Sequence, residues 1–142
     1  MSKDITFELM ETMFGTVRLL KEKMSHSNNL SHLSILQMQT LFFLNHHEKT
    51  TMSDIADYFH IELPSATSLM NKLSDQKLVK RHEDPKDRRL VRITLTDKGK
   101  DLLRQTMTDH RKIMEKMLSY LSETEKGHLL SILKTLRDRL QK

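Results

Sequence analysis

Asp84, Pro85, Lys86, Asp87, Arg88 and Arg89 stand together in the stretch EDPKDRRLVRITLTDKGK, residues 83–100. Two adjacent guanidiniums are suited to holding anionic oxygens through charge-assisted hydrogen bonds, and a neighbouring carboxylate can orient one of them. The alternating segment Leu90 to Leu95 follows at once, so the arginines read as the tip of a β-hairpin. An Asn-Gly turn would close such a hairpin but would bring no cations to it. Residues 77–92 hold seven basic residues (Lys77, Lys80, Arg81, Lys86, Arg88, Arg89, Arg92) against three acidic ones (Glu83, Asp84, Asp87). That local excess of +4 in sixteen residues is nearly all of the chain's formal +5. Positive charge concentrated on one element points to a polyanion as partner.

A second set precedes the hairpin. Ser65, Thr67, Ser68, Asn71 and Lys72 fall on the outward face of a helix that starts near Pro64 and runs to about Gln76. Ala66, Leu69, Met70 and Leu73 take its inward face. Small hydroxyl and amide side chains on a slim helix can reach base edges in a DNA major groove. Asn71 can pair with adenine, and Lys72 can reach a guanine or a phosphate. Arg88 or Arg89 could then enter a minor groove, whose negative potential attracts guanidinium. Asp87 orients Arg89 in this reading rather than touching DNA.

Other chemistries find little support. The chain has no Cys, which excludes disulfides, thiolate metal sites and thiol redox switches. There is no phosphate-cradling glycine loop and no recognisable Ser-His-acid set, so no enzyme and no cofactor is expected. His110 lies in the apolar seam of a long helix. It reads as a packed histidine; a metal ligand or pH-sensitive group shared with His46, His47 or Glu48 is the sharper reading. No metal-ligand spacing supports that, so no metal is expected. His26 and His32 read as exposed loop residues. The ten Met, at helical spacing, read as adaptable core rather than as oxidant sensors.

These residues need elements to hold them. With three Gly and two Pro in 142 residues, long helices and few loops are expected. Helices are predicted over 5–25, from Ile35 after a Ser34–Gln37 capping box, from an N-cap at Ser53 to Phe59, and from Pro64 at the first helical position. The second helix is apolar nearly all round through Ile35, Leu36, Met38, Leu41, Phe42 and Leu44, so it should be central. Strands are predicted at about 78–82 and 90–95, with Val91, Ile93 and Leu95 inward. Thr96 caps a helix to about Tyr120, and a Ser122–Glu125 capping box opens the last one.

The fold class is therefore mainly α with a small antiparallel β-wing: a winged helix-turn-helix over about 34–96, flanked by helices at about 1–26 and 97–142. All 142 residues read as one domain. No apolar stretch is long enough to span a membrane, and no signal-peptide pattern opens the chain, so a cytoplasmic location is expected. Leu9 and Met13 in the first helix, and Leu129, Leu133, Leu136 and Leu140 in the last, form stripes that a chain this size can hardly bury alone. A homodimer interface is expected there.

The segments SDIADYF, PSATSLMNKLSDQKLVKR and above all DPKDRRLVRITLTDKGK resemble those of the MarR family of bacterial winged-helix transcriptional regulators. The resemblance implies a homodimer on pseudo-palindromic promoter DNA, with Arg89 matching the family's Asp-x-Arg wing position, and release by a small ligand or an oxidant; repression rather than activation is expected. An effector pocket at Phe14, Val17, Met38, Phe42 and Met52 is implied in the same way. Two departures stand out. Lys77 occupies a position where the family commonly has Gly, and must adopt a left-handed conformation if the helix ends as theirs does. Ser68 stands where many members have Arg, so the base preference should differ. The rival reading, of another class, is a winged-helix interaction module whose basic wing binds an acidic protein.

Overall fold

The computed structural model describes residues 4–26 and 33–141. Among the described residues, six helices and two strands follow one another as α1 (Ile5–Ser25), α2 (Ile35–His46), α3 (Met52–Phe59), α4 (Leu63–Asp75), β1 (Val79–Glu83), β2 (Val91–Leu95), α5 (Asp97–Leu118) and α6 (Glu123–Leu140). His32 lies outside the described residues. The chain divides into two compact units, Ser27–Met107, and Met1–His26 with Thr108–Lys142. The first unit reaches past residue 96 because Gly99, Leu103 and Thr106 of α5 are buried.

Local signals account for the helix starts. Ser34 and Gln37 cap α2 reciprocally, the Gln37 amide donating to Ser34 Oγ at 3.1 Å and the Ser34 amide to Gln37 Oε1 at 2.9 Å. The cap of α3 is Thr51, not Ser53. The Asp54 carboxylate accepts from the Thr51 amide at 2.8 Å, and Thr51 Oγ1 accepts from the Asp54 amide. Asp54 is the third helical residue counted from Thr51, which is where a capping box needs its acid. Pro64 occupies the second helical position rather than the first, behind Glu62, whose side chain makes no cap bond. Its missing N–H is equally harmless there.

Both helices of the helix-turn-helix end left-handed at residues other than glycine: α3 at His60 (φ 52°) and α4 at Lys77 (φ 60°). At Lys77 the amides of Lys77 and Leu78 close on the carbonyls of Ser74 (2.8 Å) and Leu73 (3.0 Å), a Schellman ending that aims the chain into β1. A lysine there carries about 1–2 kcal/mol of steric cost, offset in glycine by about 0.5–1 kcal/mol of extra chain entropy. Lys77→Gly is therefore expected to stabilise the fold by up to about 1.5 kcal/mol. A urea midpoint that rises at constant m would bear this out; a midpoint that falls would show that Lys77 gains a compensating contact.

The core of this unit gathers Leu41, Ile55, Ala66, Met70, Leu73, Leu78, Ile93 and Leu103. On α2 it is Phe43 that is buried, while Phe42 and Ile35 are exposed, so a helix apolar on most sides turns only one of them inward. Phe43 packs against His47, Tyr58 and Phe59. The strands pair antiparallel in the register Val79↔Leu95, Arg81↔Ile93 and Glu83↔Val91. Ile93 and Leu95 are buried as expected, but Val91 is exposed, because the hairpin has run beyond the core by that point. The Ile93 amide also donates to the Thr50 carbonyl at 2.9 Å, which ties the wing to the loop before α3.

The chain leaving α4 is docked on the start of α5. Thr96 Oγ1 donates to the Lys77 carbonyl at 2.6 Å, the Thr96 amide to the Leu78 carbonyl at 3.1 Å and Lys98 Nζ to the Gln76 carbonyl at 3.0 Å. Gly99 permits this approach: a Cβ there would overlap the Leu78 carbonyl oxygen.

In the other unit, α1 and α6 bury none of their residues. Leu9, Met13, Phe14 and Val17 on α1, and Leu129, Leu130, Ile132, Leu133, Leu136 and Leu140 on α6, are all exposed. Helix α5 ends at Leu118, two residues before Tyr120, and the expected Ser122–Glu125 capping box opens α6.

Candidate nucleic-acid interface

Helix α4 buries Ala66, Leu69, Met70 and Leu73. Ser65, Ser68, Asn71 and Lys72 stand exposed on the opposite side. Thr67 is half-buried and donates its hydroxyl to the Leu63 carbonyl at 2.9 Å, so it offers an outside partner only an acceptor. Asn71 is not free to turn. Arg81 Nη2 on β1 donates to its Oδ1 at 2.7 Å. Sequence alone marks Arg81 only as one charge in a basic run. The signal that could have singled it out is register: Val79 and Arg81 alternate onto one face of β1, next to the end of α4.

The wing is organised by Asp84. Its Oδ1 accepts from the amides of Lys86 (2.8 Å) and Asp87 (3.1 Å), and its Oδ2 accepts from Arg92 Nε at 2.7 Å. Arg92 in turn donates through Nη1 to the Lys49 carbonyl at 2.7 Å. The Asp84 and Arg92 side chains are only 13% and 17% exposed, so solvent screens this pair less than the others. The bond from Arg92, and then the backbone amide of Lys86, hold the Asp84 carboxyl down from 3.8 to about 2.

A depressed carboxyl stabilises the fold above its ordinary value, and that contribution is lost as pH falls through the folded value. The wing turn is accordingly expected to stay intact through about pH 4 and to open only towards about pH 2. An NMR titration of the Asp84 carboxyl should show its midpoint near the lower value. A midpoint near 3.8 would mean that the Arg92 bridge does not hold in solution.

Asp87 meets Arg89 at two points, Nε to Oδ1 at 3.1 Å and Nη2 to Oδ2 at 3.3 Å, and its Oδ1 also accepts the Arg89 amide. The Arg89 side chain is nonetheless 91% exposed. Its guanidinium is therefore oriented without being covered. Lys86 and Arg88 are exposed beside it. The Asp87 carboxyl is held below its ordinary value, first by the Arg89 side chain and then by the Arg89 amide.

The remaining candidates fall elsewhere. Met38, Phe42 and Met52 belong to the winged-helix unit, Phe14 and Val17 to α1 of the other. A cleft of about 690 Å³ in the winged-helix unit is lined by Leu44, Asn45, Glu48, Lys80, His82, Thr94, Leu95 and Lys100, and includes none of those five. His46 and His47 each turn Nδ1 onto the carbonyl four residues back, of Phe42 and Phe43. His110 is half-buried, and burial pushes its pKa below the ordinary imidazole value against the opposing effect of Asp109. Among the described residues no group of three His, Asp or Glu is placed to hold a metal ion. His26 is exposed, with Nδ1 on the Glu22 carbonyl.

Helix α3, a tight turn, α4 and a basic two-stranded hairpin define a winged helix-turn-helix protein. The profile of the MarR family matches residues 32–90. The HTH-type transcriptional repressor MdtR of Bacillus subtilis is 30% identical over 107 residues, covering 75% of this chain and 68% of that one. The chain belongs to the MarR family of DNA-binding transcriptional regulators. Among solved structures it is similar to FabT of Streptococcus pneumoniae in complex with DNA (TM-score 0.80, 24% identity, covering 96% of this chain and 95% of that one). It is also similar to S. aureus MepR bound to ethidium bromide (TM-score 0.68, 25% identity, covering 92% and 95%).

Proposed function

We propose that the protein is a homodimeric repressor that occupies pseudo-palindromic duplex DNA, is released by a small ligand, works in the cytoplasm and carries no enzymatic activity. One observation carries the reading: the exposed polar row of α4 and the oriented guanidinium of the wing belong to one compact unit, joined by the Arg81–Asn71 bond. Helix α4 enters the major groove and presents Ser65, Ser68, Asn71 and Lys72, with Thr67 as an acceptor at its edge. The wing lays Arg89 into the flanking minor groove, while Lys86 and Arg88 lie along phosphates. Asp87 serves as a brace. MdtR is named a repressor, FabT was solved with DNA and MepR with ethidium bromide, and each of these supports the corresponding part. No helix among the described residues is long and apolar enough to cross a membrane.

Arg89→Ala is expected to weaken specific binding by about 1–3 kcal/mol and to relax preference at the operator flanks. Arg88→Ala should lower affinity evenly across sequences and reduce the salt slope by about one unit. Both should leave the fold unchanged, since an exposed tip contributes little to stability. Binding of both variants to operator and scrambled duplex over a salt series decides it. Equal, sequence-blind losses would reduce the wing to phosphate neutralisation. An acidic protein partner, the rival reading, predicts no footprint on any two-fold symmetric duplex.

A further inference from the structure

We propose that Arg81 is a specificity-determining residue: by holding the Asn71 carbonyl, it turns that side chain from an adenine reader into a reader of acceptor-only base edges, guanine or thymine. This rests on the reading above that α4 occupies the major groove. A guanidinium has five donors and no acceptor, so the atom of Asn71 that faces it must be the oxygen. The 2.7 Å bond from Arg81 Nη2 to Asn71 Oδ1 therefore fixes which way the amide points, an assignment that is ambiguous for most asparagines. The amide N–H2, with two donors, is the end left for another partner.

Adenine is read by asparagine through both ends of the amide, with oxygen accepting from N6–H and nitrogen donating to N7. In this protein the oxygen already accepts a charge-assisted bond. A second lone pair remains, but the guanidinium draws on the same oxygen and weakens it as an acceptor. The nitrogen keeps its full capacity, and guanine N7 and O6 or thymine O4 meet it as acceptors. Cytosine presents a donor at that edge and is rejected. The position of Arg81 supports a designed contact: β1 carries it next to α4 through the Schellman turn at Lys77, ten residues after Asn71. Because Arg81 and Asn71 are both exposed, the pair is worth little to the fold. Its consequence lies in recognition.

The test uses the full-length protein and the duplex that the wild type selects, together with all single-base variants of one half-site. Wild type, Asn71→Ala and Arg81→Ala are compared by competition binding, with thermal unfolding to establish that each is folded. Asn71→Ala is expected to flatten preference at one position, where the wild type prefers guanine or thymine. Arg81→Ala is expected to raise the relative affinity for adenine at that same position by about tenfold and to leave the other positions alone. Three results would overturn the inference while leaving the DNA-binding reading intact. The position sensitive to Asn71 could be adenine in the wild type. No position could respond to Asn71→Ala. Arg81→Ala could weaken all duplexes equally, as a phosphate contact would. A wild type that selects no sequence at all would instead sink the underlying reading.

Discussion

Leu133→Asp is expected to abolish the dimer, giving monomers or insoluble protein. Leu133 lies on α6 between Leu129 and Leu136, in a helix that buries none of its own residues, and is 54% exposed in the single chain. Leu140 at 85% and Met13 and Leu9 on α1 are as open or more so. Exposure on this scale exceeds the scattered single apolar residues that a monomer normally shows, which is what the proposed dimer interface requires. A second copy of the chain is the occupant that the proposed function requires. An unpaired carboxylate introduced into such an interface costs several kcal/mol, because the ion loses its water and gains no partner. Sedimentation of the variant at micromolar concentration checks this. A soluble variant that remains fully dimeric would move the interface away from α6.

Gly99→Ala should unfold the winged-helix unit more readily, with a net loss of about 1–3 kcal/mol. Two effects compete. Alanine is the better helix former by about 1 kcal/mol, and Gly99 lies in the first turn of α5. Against this, the added methyl would overlap the Leu78 carbonyl oxygen, a backbone atom that cannot swing aside like a side-chain tip. Relief would require pulling α5 off the chain that leaves α4, and with it the bonds from Thr96 to the Lys77 and Leu78 carbonyls. The clash should win. Gly127→Ala on α6 supplies the control: its Cβ would meet open space, so a small gain is expected. Thermal melts of the two variants should shift in opposite directions, and a Gly99→Ala protein as stable as the wild type would show that this docking is loose.

Much of the fold could be read from local chemistry. The capping boxes at Ser34 and Ser122 and the cap at Thr96 are each decided within a few residues, and the chain obeys them, while the left-handed ending at Lys77 followed only from the family resemblance. What escaped was decided by partners further away. Thr51 rather than Ser53 caps α3, because Thr50 is held by the strand bridge to Ile93 and Asp54 stands at the right distance for a box. Phe43 rather than Phe42 faces inward, since a helix apolar on every side carries no moment to say which face turns in. Val91 alternates correctly with Ile93 and Leu95, but alternation does not tell where the core stops beneath a hairpin. At the candidate site, spacing places Ser65, Ser68, Asn71 and Lys72 on one helix face. The bond that restrains Asn71 joins two elements, and no pattern within α4 could reveal it.

The central claim is that two copies of α4 and two wings read one symmetric duplex. Selection from a random duplex pool, followed by hydroxyl-radical footprinting of the enriched sequence, tests it most directly. The expected product is a pseudo-palindrome with half-site centres about 10–10.5 base pairs apart or a multiple of that. Protected minor grooves should flank each half-site and lose their protection in Arg89→Ala. A pool that yields no enriched sequence, or an asymmetric footprint that Arg89→Ala leaves unchanged, would contradict it.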